Sequence, residues 1–124
     1  MDSNDKEAQE SRGMRIYEYI VDNVSTIGSE LGDKIEELKE ADTTGQFMAS
    51  TARYLAAVDR ERFEPWLAPL IESAIEKDRE RRYIASLLEA IWGEDYEDHA
   101  DELRKSDDNF RRIYKRLHPE QDPM

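Results

Sequence analysis

The chain has 124 residues, no cysteine and a net charge of −12, with 30 Asp and Glu against 18 Lys and Arg. That length bounds one domain with a modest core, and the missing cysteine excludes disulfides, thiolate zinc sites and cysteine nucleophiles and suits a cytoplasmic setting. No apolar run approaches the roughly 18 residues of a membrane span, and the opening MDSNDKEAQESRG is polar, without an apolar signal core.

The first 12 residues read as a disordered or frayed tail. From Met14 the pattern turns helical: Tyr17, Ile20, Val24, Ile27 and Leu31 step by three and four, and Ile35 and Leu38 follow. Gly28 and Gly32 fall inside this run, each costing about 1 kcal/mol against Ala in a helix interior. The spacing predicts either one weakened helix or a break near GSELGD, with Asp33 capping a short helix over 34–41. Thr43 and Gln46 have the spacing of a capping box. The helix after them, about 45–58, turns Phe47 or Met48, Ala52, Leu55 and Val58 inward. Pro65 suits the first position of the next helix, and Pro69 its first turn or a small kink. Phe63, Trp66, Leu67, Leu70, Ile71, Ala74 and Ile75 form the strongest apolar stripe in the chain.

EKDRERR, residues 76–82, is fully charged and predicts a turn or an exposed helix junction. Tyr83, Ile84, Leu87, Leu88, Ile91 and Trp92 make the next stripe, which Gly93 ends in a left-handed conformation. Two short amphipathic helices follow, about 95–105 and 107–117, the second capped by Asp107. No strand-like alternation competes. The expectation is all-α: a compact bundle or orthogonal array of five to six helices, one domain over 13–118, and a C-terminal tail at 119–124.

Charge is uneven. Residues 1–44 carry a net −7, 45–93 a net −1, 94–102 a net −6, and 103–118 a net +4. On a helical wheel Tyr96, Ala100 and Leu103 share one face, while Glu94, Asp95, Glu97, Asp98, Asp101 and Glu102 fill the opposite arc. His99 sits on the border, near Asp95 and Glu102. Acids at a helix start are favoured by the macrodipole, so part of this face is plain solvated surface. The remainder of the signal is a carboxylate patch able to meet a basic protein surface or stand in for phosphates. The stretch lacks the central Gly and the alternating ligands of a calcium loop. With only His99 and His118 in the chain, a transition-metal site has too few imidazoles.

The last helix mirrors the acidic one, with Phe110, Ile113, Tyr114 and Leu117 inward and Arg111, Arg112, Lys115 and Arg116 outward. Dipole preference accounts for cations near its end, and a net −12 surface disfavours nucleic acid and anionic membranes. FRRIYKRLHPE, residues 110–120, is similar to the second helix and His-Pro-Asp turn of J-domain co-chaperones. Glu120 stands where that family has Asp, and nothing is carried over from eleven residues.

No phosphate loop, nucleophile elbow or HExxH motif is present, so an enzyme and a cofactor are not expected. The leading expectation is a small acidic interaction domain, an adaptor, inhibitor or immunity-type neutraliser, binding a basic protein partner through residues 94–102. Two others stand beside it. One is a homo-oligomeric subunit whose acidic 94–102 meets the basic 111–116 of a neighbour. The other is a salt-adapted domain whose acidity has no partner.

Overall fold

The structure, a computed structural model, describes residues 3–119. Most of the expected C-terminal tail therefore lies outside the described residues. The fold is all-α. Among the described residues it comprises α1 (Ser3–Asn23), α2 (Glu30–Ala41), α3 (Gln46–Lys77), α4 (Ala85–Trp92), a 3-10 turn (Tyr96–His99), α5 (Ala100–Ser106) and α6 (Asp108–Leu117).

Helix α1 begins at Ser3, so residues 3–12, expected as tail, are helical. No Gly or Pro interrupts them before Gly13. The break expected near GSELGD falls earlier than Asp33. The chain turns at 24–29, with Gly28 at φ +51°, and Asp33 lies inside α2 instead of capping it. Gly32 lies inside α2, where a Cβ would stand 3.0 Å from the ring of Trp66, so the small residue leaves room for that ring. The two glycines of one short motif thus do different work.

Helix α3 is the spine, packing against α1, α2, α4 and α6. It bends at Asp59, whose backbone leaves the helical region at φ −163° and ψ 84°. The Asp59 carboxylate then accepts from the Arg62 amide at 3.1 Å, capping the second half. That half starts before Pro65, so Pro65 and Pro69 are not at its first position but inside it. Both lie on the solvent-exposed face, where the carbonyls that lose an amide partner are open to water. Val58, expected in the core, precedes the bend and is 47% exposed.

One cluster of buried side chains joins all six helices, among them Ile20, Leu38, Leu55, Leu70, Leu87 and Phe110. Each such side chain contributes roughly 1.5–3 kcal/mol of burial. The junctions between helices are held by aspartates. Asp42, 1% exposed, ends α2 and accepts from the amides of Thr44 (3.2 Å), Gly45 (3.0 Å) and Met48 (2.8 Å). It, rather than the expected Thr43 capping box, organises the start of α3. Asp78, 2% exposed, repeats the device: it ends α3 and accepts from the amides of Arg82 (2.9 Å), Tyr83 (2.6 Å) and Ile84 (2.8 Å). Asp107 caps α6 through the Phe110 amide at 3.1 Å, as its position predicts. Four of the chain's acids are therefore joints of the fold.

Candidate functional site

Helix α4 ends at Gly93, which has positive φ but an extended ψ (99°, 158°) in place of the left-handed cap the sequence suggests. The chain then turns through 94–95 into the 3-10 turn and α5, so the acidic stretch is two short pieces and not one helix. Short 3-10 starts of this kind are common at helix N-termini.

The inner side of the stretch is anchored on α6. Phe110 is fully buried and meets Trp92 edge-on at 5.2 Å and Tyr96 at 6.2 Å between ring centroids. The Trp92 indole Nε1 donates to Asp107 Oδ2 at 2.8 Å. Ala100 is buried and Leu103 half-buried. These contacts fix which way the acids face.

All six predicted carboxylates, Glu94, Asp95, Glu97, Asp98, Asp101 and Glu102, are exposed. Three of them have local partners. Asp95 Oδ2 lies 3.3 Å from His99 Nε2, Glu97 accepts from the Tyr96 hydroxyl at 3.4 Å, and Asp101 accepts from Arg104 at 2.7 Å. Among the described residues no side chain engages Glu94, Asp98 or Glu102. Burial, then the neighbouring Glu97 charge and hydrogen bond, push the Tyr96 phenol above its ordinary value. Among the described residues no group of three or more His, Cys, Asp or Glu is arranged to hold a metal ion.

The basic helix differs from expectation at one residue. Arg116 does not lie free on the outward arc. Its guanidinium donates to the carbonyls of Ile75 (2.6 Å), Asp78 (2.8 Å) and Arg79 (3.2 Å), satisfying the open C-terminus of α3. Arg111 pairs with Asp108 on its own helix. Trp66 and Trp92 are half-buried against the core, in keeping with their apolar stripes. No described helix is long and apolar enough to cross a membrane.

Comparison with protein-family models, with curated proteins and with solved structures finds no match.

Proposed function

We propose that this protein is a small acidic interaction domain, without catalytic activity, that recognises a basic surface on a protein partner through residues 94–102. The observation that carries this reading is the side-chain disposition of that stretch. Six exposed carboxylates lie together with no Lys or Arg among them, and among the described residues no side chain engages Glu94, Asp98 or Glu102. Such a field steers a cationic partner and raises its association rate, most strongly at low salt. The aromatic anchoring beneath keeps the carboxylates in place, which lowers the ordering cost of binding. A cytoplasmic setting suits a cysteine-free chain.

The test is a pull-down from host lysate at low and high salt, followed by stopped-flow association with the captured protein. Asp98→Asn with Glu102→Gln should slow association about tenfold at low salt and flatten its salt dependence. An unchanged rate removes the acidic face from recognition.

A further inference from the structure

Helix α3 folds back on itself. A straight helix of its 32 residues would part Gly45 from Asp78 by about 50 Å. Instead a Cβ on Gly45 would stand 3.2 Å from the Asp78 Cβ. The reversal is made at one residue, Asp59, with φ −163° and ψ 84°, and the chain is helical on both sides of it. The neighbouring residues are suited to a continuous helix. No Gly or Pro lies between Gln46 and Glu64, and Arg60, Glu61 and Arg62 are good helix formers. Pro65 and Pro69 are already inside the helix in the hairpin, so straightening adds nothing to their cost. Residues 57–62 are exposed, so no buried side chain blocks the change there.

The hinge divides the chain into two halves, 3–58 and 60–119. Helices α1 and α2 pack on each other and on α3, while α4, α5 and α6 pack on one another and on α3. Among the described residues no helix of the first set packs on a helix of the second. Polar ties hold each half together. In the first, the Tyr54 hydroxyl donates to the Val21 carbonyl at 3.4 Å and Arg12 pairs with Glu40 at 3.6 Å. In the second, Arg60 donates to the Ile91 carbonyl, Asn109 to the Ala68 carbonyl at 3.4 Å and Arg116 to the Ile75 carbonyl at 2.6 Å. Between the halves the contact is apolar: the Trp66 ring lies on Gly32, and Leu38, Leu55, Leu70 and Leu87 share one buried cluster. Thr43 and Thr44 are parted from residues 76–80, Arg82 and Tyr83 by a cleft of about 440 Å³ along this seam. Charge does not join the halves. Residues 1–58 carry 12 acids and 6 bases, and residues 59–124 carry 18 and 12, so each is net −6.

We propose that Asp59 is a hinge through which two copies of this chain exchange halves, α3 becoming one continuous helix and residues 3–58 of one copy docking on residues 60–119 of the other. Contacts within and between halves are regained across the two chains, and only the hinge changes. In the straight helix the amides of Arg60, Glu61 and Arg62 donate to the carbonyls of residues 56–58. In the hairpin the Arg62 amide relies on the Asp59 carboxylate. A connection of one residue favours exchange, where a longer loop would favour the closed chain. Repulsion between two chains of net −12 opposes the dimer at low salt and is screened at high salt. This exchange is independent of the 94–102 face.

The experiment holds the full-length protein at millimolar concentration and high salt just below its melting temperature, cools it, and separates the products by size with mass from light scattering. A dimer is expected. When 13C-labelled and unlabelled protein are mixed before heating, the dimer should show a cross-chain contact between Gly32 and the Trp66 ring, which a side-by-side dimer lacks. Asp59→Ala removes the cap and raises helix propensity at both hinges, so it should lower the dimer dissociation constant about a hundredfold. Asp59→Glu provides a second variant in the same direction. Two glycines inserted between Asp59 and Arg60 should hold the chain monomeric. An unaltered chain that stays monomeric, a dimer without the Gly32–Trp66 cross-chain contact, or a glycine insertion that dimerises as well as the unaltered chain overturns the proposal.

Discussion

Gly45 and Asp78 meet backbone to backbone. A Cβ placed on Gly45 would lie 3.2 Å from the Asp78 Cβ and 2.9 Å from the Ala74 carbonyl oxygen. The turn that opens α3 is thereby pressed onto the turn that closes it, and Gly45 also has φ +89°. Gly45→Ala incurs both left-handed strain and this overlap, so it should lose about 2–4 kcal/mol. Urea denaturation measures it, and a loss below about 0.5 kcal/mol would mean the two turns part easily.

Asp42 and Asp78 each present both carboxylate oxygens to backbone N–H groups. Replacing either by Asn aims an NH2 at an amide donor, so Asn should be nearly as damaging as Ala. Each substitution should cost about 2–4 kcal/mol, since buried amides lose charged acceptors. Paired Asn and Ala variants at each position check this by denaturant midpoint. A harmless Asn would show that one oxygen suffices.

Ser73 is 3% exposed, and among the described residues its hydroxyl finds no hydrogen-bond partner. Ser73→Ala removes a desolvated polar group and raises helix propensity in the same step. Stability should rise by about 1 kcal/mol, or roughly 3–5 °C in Tm. A lower Tm by calorimetry would instead reveal a bond made by that hydroxyl.

Two tyrosines should ionise late in an alkaline titration. A hydrogen bond to Glu30, at 2.9 and 3.1 Å to its two oxygens, is the main cause that raises Tyr19; burial is the main cause for Tyr96. A raised phenol value means the folded chain keeps its proton longer than the unfolded one. The associated stability is full below the ordinary tyrosine value and is lost as pH rises through the raised one. Ring-carbon NMR against pH reads both sites. Glu30→Gln should return Tyr19 most of the way to ordinary. Glu97→Gln should move Tyr96 only in part, because burial remains. Equal, full reversal at both sites would assign Tyr96 to charge alone.

Much of the fold and the acidic face was legible because it depends on local period. Helical spacing of Ile20, Leu38, Leu70 and Phe110 marks the side each helix buries, and all four are fully buried. The wheel over 94–102 separates Tyr96 and Ala100 from the acids, and the six carboxylates are exposed as it predicts. Asp107 was readable as a cap because the residues it serves follow at once.

What the period cannot carry is contact between distant segments. Gly32 reads as a helix breaker, yet it lies inside α2, and Trp66, 34 residues away in sequence, packs where its Cβ would be. Val58 keeps the phase of its stripe, but the bend at Asp59 leaves it in solvent. Arg116 has the spacing of a surface cation, and only the approach of α6 to the end of α3 turns it into a cap. The cleft between residues 43–44 and 76–83 has no local signal either, since its walls are about 35 positions apart. Sequence alone determined the helices, their buried sides and the exposed acids, because those follow from short-range repeat and burial. Tertiary packing decided which aspartates became joints, which arginine became a cap and where a cleft opened, because each depends on a surface supplied by another helix.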